Sequence, residues 1–411
     1  MIDPHCCQPT PDANPAHASP GIDASCTGTG DASCTSDIVP TIGDIFRQYG
    51  PAYVKKYGDR IPPDQRRVMY LLPRCRTGEL GTALYRCDAC GKHHAVPQSC
   101  GNRHCPRCQG QKAKQWLETQ LAKLLPCCYF LITFTVPKEL RRFVRSHPRE
   151  CYGALFDAAA ATLRELASNP RHVGSDKLGV TGVLHTWGRT SCFHPHVHFI
   201  VPGGAISRDG KSWLPSRVDF FVPVRAASIL FRAKFKEIMH QHGLLSQIPD
   251  EVWEKKWVVH SKAVGDGRRA LRYLAPYVYR VAISNGRIVK CEPGPDGSGR
   301  VTFTYRQSGS RRYRTMVVTA EEFIRRFLQH VLPRGFQKVR HYGFAHPRNK
   351  IDHEWLKMLV TVTLHAVYVL IVSAPPLPVK HRPSCPDCGG PLTCVGFIPA
   401  EEWPFVSYDS S

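Results

Sequence analysis

The sequence is poor in acidic residues and has no long apolar run. Asp and Glu number 33 against 55 Lys and Arg, giving a formal net charge of +22 over 411 residues. Residues 1–40 hold five of the acids and no Lys or Arg, so the remainder is more basic than the whole. That imbalance points to a polyanionic partner. The longest apolar run, residues 358–372, contains His365 and falls short of the roughly 20 residues that a membrane-spanning helix needs. A buried helix or strand pair is expected there, and no membrane partner. No apolar signal segment stands within Met1–Gly30, so the 18 cysteines are read as reduced cytosolic thiols, not as the disulfide framework of a secreted domain. No internal repeat is visible, which excludes solenoids and propellers.

What is present is ordinary globular material, with 42% hydrophobic and 21% charged residues, enough for two or three folded units. Residues 1–40, rich in Pro, Ala, Ser, Gly and Asp without apolar periodicity, are expected to be a disordered tail. Residues 41–74 are expected to form a basic helical segment, 75–125 a cysteine-rich module, 126–350 the large mixed domain and 351–411 a C-terminal segment. Trp116, Leu117, Leu121 and Leu124 give Gln111–Leu125 one apolar helical face. Beyond it, strand patterns near Tyr129–Val136, Gly179–Trp187 and His196–Val201 alternate with helical ones at Tyr152–Ala167, Ala226–His242 and Arg268–Arg280. The order lacks βαβ regularity and so predicts an α+β fold with an antiparallel sheet flanked by helices.

Cys87-x2-Cys90 and Cys105-x2-Cys108 are separated by 14 residues, close to the spacing of a four-thiolate zinc site. Gly91, Gly101 and Pro106 supply turns for a small zinc ribbon. Cys75, Cys100 and His104 stand nearby, so the ligand set is open to a permutation of one. Cys385-Pro-Asp-Cys388 looks like another knuckle, followed by Cys394 and preceded by His381, without a clear second pair to close a tetrahedron.

In Phe193-His194-Pro195-His196-Val197-His198-Phe199, strand alternation puts His196 and His198 on one face. His194 shares their parity, but Pro195 suggests that the regular strand starts after it. His185 is placed to reach the same site from the preceding strand. Imidazoles suit Zn, Mn, Fe or Cu, and the chain's basicity argues for a phosphate substrate that such an ion would polarise. Tyr273 and Tyr277 stand four apart on one helical face, with Arg269 and Arg280 on the same side; the alternative is that they are core aromatics. Pro276 threatens the register of Tyr277.

His-hydrophobic-His on a strand, followed by Tyr273-Leu-x-x-Tyr277, resembles the HUH nucleases. With Arg103-His104-Cys105-Pro106-x-Cys108, Leu184-His185-Thr186-Trp187-Gly188 and Leu332-Pro333-x-Gly335-Phe336 leading to Arg340-His341-Tyr342-Gly343, the chain from about Ile42 to Lys350 resembles the two-tyrosine rolling-circle transposases of the insertion-sequence-91 family. The resemblance implies an HUH-like sheet preceded by a zinc module, in a bacterial cytoplasmic, nucleoid-associated enzyme. It implies Mg²⁺ or Mn²⁺ at His196 and His198, and attack by Tyr273 or Tyr277 on single-stranded DNA at transposon ends and target. That attack would leave a 5′-phosphotyrosine link and a free 3′-hydroxyl. A rolling-circle replication initiator or relaxase would share the chemistry, and a non-catalytic zinc-dependent DNA-binding protein would share the modules.

Residues 300–350 contain 12 Lys or Arg and two Glu, interleaved with Tyr305, Tyr313, Phe327, Phe336 and Tyr342. Cations for phosphates and rings for unstacked bases suit single-strand binding. Arg269, Arg272, Arg280, Arg311, Arg312 and Arg340 are the expected DNA contacts.

Overall fold

The computed structural model describes residues 39–188, 190–279, 283–294, 297–306, 312–364 and 383–400. The expected tail up to residue 38, Arg280, Arg311, His381 and the second half of the 358–372 run lie outside these residues. Helix α1, Ile42–Tyr57, starts on a capping box: Asp44 N–H donates to Thr41 Oγ1 at 3.3 Å, and Thr41 N–H donates to Asp44 Oδ2 at 2.9 Å. Helix α2, Pro63–Arg74, opens with proline at its first position, where the missing N–H costs nothing. Strands β1 (Thr82–Cys87) and β2 (His93–Pro97) and helix α3 (Gly110–Ala122) complete this region.

Next come β3 (Tyr129–Thr135), α4 (Arg141–Ser146), α5 (Pro148–Ser168), β4 (Gly179–Trp187) and β5 (Phe193–Pro202). The short pair β6 (Gly204–Ile206) and β7 (Trp213–Pro215), α6 (Val224–Gln241), α7 (Glu251–Glu254), β8 (Val258–Ala263) and α8 (Arg268–Val278) follow. Strands β9 (Ile288–Pro293), β10 (Gly299–Arg306) and β11 (Tyr313–Thr319) form a separate antiparallel sheet under α9 (Ala320–Leu328). The chain then runs through β12 (Val339–Gly343) and α10 (His353–Thr363) to β13 (Leu392–Ile398). The first half of the apolar run is thus helical. No helix among the described residues is long and apolar enough to cross a membrane.

The central sheet has five antiparallel strands in the order β12-β4-β5-β3-β8. Alternation separates its two faces. Phe130, Ile132, Phe134, Val197, Phe199 and Val201 pack with α5 and α6 into the main core. Leu131, Val183 and Ile200 face the other way, against α8 and the apolar side of α3. The mixed α+β fold with antiparallel sheets follows the sequence pattern. One detail differs: β5 begins at Phe193, before Pro195. His196 pairs with His185 and Phe193 with Trp187, so two residues of β5 oppose one of β4. This bulge accommodates a proline that cannot donate to the ladder.

Helix α8 lies close to the sheet because Gly267, at φ 78°, has no side chain. A Cβ there would sit 2.9 Å from the Tyr129 ring. Pro276 falls in the last turn, and the helix continues through it to Val278.

Phe199 is fully buried and stacks edge-on with Phe134 and Phe156. Phe199→Ala is expected to destabilise the chain by about 3–5 kcal/mol. Equilibrium denaturation at saturating zinc would measure it.

Candidate metal and tyrosine site

His185 on β4 and His196 and His198 on β5 bring one nitrogen each within 4.8 Å of one another, all three residues being buried. The cross-strand pairing His185↔His196 sets this up, with His198 one pleat further on. Each ring is held from behind. His196 Nδ1–H donates to the His194 carbonyl at 2.7 Å, which leaves the lone pair on Nε2. His198 Nδ1 lies 2.8 Å from Thr133 Oγ1, and the His185 ring stacks on Trp187 at 5.2 Å. Burial pushes His196 down to about 4 and His185 and His198 well below the usual imidazole value. The rings are therefore neutral, as metal ligation requires.

His185 Nε2 and His198 Nε2 are buried without a hydrogen-bond partner among the described residues. Two such orphaned acceptors are costly in a folded interior. A divalent cation shared by the three lone pairs would satisfy them, so the donor set fits a metal. His194 stays outside the cluster: Arg141 donates to its Nδ1 at 2.5 Å, and its part is to orient His196.

The tyrosines of α8 stand over this cluster. The Tyr277 ring lies 5.0 Å from His185, the Tyr273 ring 6.2 Å from His198, and the two phenol rings 5.4 Å apart. Tyr273 is exposed and Tyr277 half-buried, while Leu271, Leu274 and Val278 bury the other side of the helix. Arg269 and Arg272 are exposed on the same helix.

Two contributors escaped the sequence reading. Thr133 was legible only as a strand residue, because its role depends on β3 pairing with β5. Lys338 stood unremarked in the basic stretch. It lies half-buried over the Trp187 ring, 4.6 Å from the centroid, and donates to the Tyr277 carbonyl at 2.5 Å. Burial, then the charge of Arg103, brings it down to about 7. Its hydrogen bond to the Tyr277 carbonyl fixes the C-terminal end of α8.

Arg340 departs from expectation. It pairs with Gly182, so it points to the α5 face, away from the histidines. There it lies 3.3 Å from Asp157 and stacks over Phe156 and Phe336, so its guanidinium is turned away from the histidines. Arg312 is exposed at the start of β11.

The cysteines also regroup. Cys105 and Cys108 cluster with Cys75 and Cys100, whereas Cys87 and Cys90 face Cys385 and Cys388. The expected site Cys87–Cys90–Cys105–Cys108 is therefore not formed, because β1 and β2 carry the first knuckle away from the second. His104 is no ligand either. Its Nδ1–H donates to Asn102 Oδ1 at 3.0 Å and its Nε2 accepts from Leu332 N–H at 3.1 Å.

Residues 45–136 match the family described as "Transposase zinc-binding domain", and residues 179–352 the one described as "Putative transposase". A protein of Sinorhizobium fredii named "Putative transposase y4qJ" is 41% identical over 74% of this chain and 80% of its own length. The chain belongs to the IS91 family of transposases. The transposase is also 26% identical to the "Transposase for insertion sequence element IS801" of Pseudomonas savastanoi, over 69% of this chain and 70% of that protein. No solved structure matches it. The matched span 45–136 contains the cluster of buried Cys75 and Cys105 with half-buried Cys100 and Cys108. Cys100 Sγ and Cys108 Sγ lie 3.7 Å apart, close to the roughly 3.8 Å edge of a zinc tetrathiolate. The donor set fits zinc.

Removing the Thr133 hydroxyl takes away what orients His198. Thr133→Val is expected to weaken binding of a divalent ion at the histidines by about 10–100-fold, measured by Mn²⁺ titration of the transposase with electron paramagnetic resonance.

Proposed function

We propose that this transposase cuts and rejoins single-stranded DNA at element ends through Tyr273 or Tyr277. His185, His196 and His198 would hold Mg²⁺ or Mn²⁺, and the thiolate-bound zinc module would help grip DNA. The observation that carries this reading is the pair of buried, unpartnered imidazole nitrogens directly beneath two phenol rings. The cation would supply Lewis-acid polarisation of a phosphoryl oxygen and offset charge that grows in the transition state. An antiparallel sheet with the two histidines on an inner strand and the tyrosines on a covering helix agrees with an HUH-type centre.

In the covalent step a phenol oxygen bonds to phosphorus as the P–O3′ bond breaks. The tyrosine gives up its proton, and the departing oxygen takes one up as the 3′-hydroxyl. One phosphodiester replaces another, so reversal needs no high-energy cofactor. Arg269 and Arg272 are exposed cations on the helix that carries both phenols, placed to meet the phosphates of a bound strand. Two phenols on one helix face permit sequential attack on two strands. Lys338, through the Tyr277 carbonyl, keeps the second within reach.

The β10–β11 hairpin sets exposed Arg314 opposite Tyr305 and exposed Tyr313 opposite Arg306. Such a surface suits phosphates and unstacked bases. Arg325 and Arg326 of α9 are instead paired with Glu322 at 2.6 and 2.7 Å.

Incubating the full chain with single-stranded oligonucleotides and Mn²⁺ is expected to give a protein–DNA adduct that survives denaturing electrophoresis. Tyr273→Phe combined with Tyr277→Phe should remove it while DNA binding persists. An adduct of undiminished yield from that double variant, or a wild-type chain that binds DNA without forming one, would refute the proposal.

A further inference from the structure

Cys87 and Cys90 end and follow β1, while Cys385 and Cys388 lie outside both family-matched spans. The two knuckles have the same geometry. Each is followed by a glycine at φ 73°, Gly91 and Gly389, a conformation that favours glycine. Gly91 N–H donates to the Cys87 carbonyl at 3.0 Å, and Gly389 N–H to the Cys385 carbonyl at 2.9 Å. Cys87 N–H donates to the Lys92 carbonyl and Cys385 N–H to the Gly390 carbonyl, both at 2.8 Å.

The knuckles face each other. Cys87 Sγ lies 3.5 Å from Cys388 Sγ, and Cys90 Sγ 3.8 Å from Cys385 Sγ. These separations are too long for disulfides and near the roughly 3.8 Å edge of a tetrahedron with 2.3 Å zinc–sulfur bonds. A Cβ on Gly390 would come within 3.3 Å of both Cys87 Sγ and Cys388 Sγ and 2.7 Å of Ala89 Cβ, so the sulfurs are closely walled. Contacts around the sulfurs join the same two segments. His94 Nε2 lies 3.2 Å from Cys385 Sγ, Lys92 pairs with Asp387 at 2.9 Å, and Thr393 Oγ1 donates to Asp88 Oδ2 at 2.9 Å. Strand β13 then pairs with β1 along its whole length.

We infer that Cys87, Cys90, Cys385 and Cys388 bind a second structural zinc ion, which clasps the C-terminal segment onto the N-terminal module. It is separate from the Cys75 cluster, and two of its thiols, Cys90 and Cys388, are exposed. Neither family span contains both halves. The clasp is independent of the tyrosine chemistry, so its test reads metal and backbone, not strand cleavage.

Loading the full chain with Co²⁺ gives a thiolate-to-cobalt charge-transfer band that histidine ligation does not. The wild-type intensity is expected to equal two tetrathiolate centres per chain. Cys385→Ser with Cys388→Ser should halve it and speed hydrogen exchange of the Leu392–Ile398 amides. Cys394→Ser, on the same strand but outside the cluster, should change neither. A wild-type intensity of one centre would overturn the proposal without any substitution, which covers a misfolded variant. An undiminished band in the double variant would overturn it as well.

Discussion

Lone pairs shut away from water are the constraint on which the five-stranded-sheet half of the molecule is organised. Placing three neutral imidazoles on a sheet face under a helix is unfavourable unless their nitrogens have a use, and two of those nitrogens have no partner among the described residues. The surroundings hold the rings instead of relieving them. The His194 carbonyl and the Thr133 hydroxyl engage the far nitrogens, and Trp187 lies flat against His185. Such preorganisation matters when charge develops on a bound phosphate, because nothing then needs to rearrange.

The rest of the fold brings a helix with two phenols over that face and keeps it there. The apolar side of α3, leading out of the cysteine-rich module, packs on α8, and Lys338 ties its last turn to the sheet. Core residues from α1, α2 and α9 also reach Trp187 and Tyr277. The zinc-stabilised region therefore touches the elements that position the tyrosines, and its loss would be felt there through packing alone.

Much of this was legible in local periodicity. Alternation puts His196 and His198 together, and a spacing of four puts Tyr273 beside Tyr277, because both relations lie within one element. Relations between elements were not legible in that way. The facing of His185 and His196 depends on the register of β4 with β5, and the engagement of Arg340 with Asp157 on β12 pairing with β4. The cysteines show the limit most plainly. Their spacing encodes knuckles, but not which knuckles meet, and the nearest in sequence, Cys87–Cys90 and Cys105–Cys108, turn out to belong to different clusters.

The partnership of β1 with β13 also bears on biosynthesis. These strands leave the ribosome roughly 300 residues apart, an interval of roughly 15–60 s at bacterial elongation speeds. During that interval the nascent N-terminal sheet keeps a bare edge, and bare edges invite pairing with other chains. Arg86 at that edge is a charged residue that blunts such contacts. Maturation of the N-terminal module is thereby postponed until translation of the five-stranded-sheet region is complete.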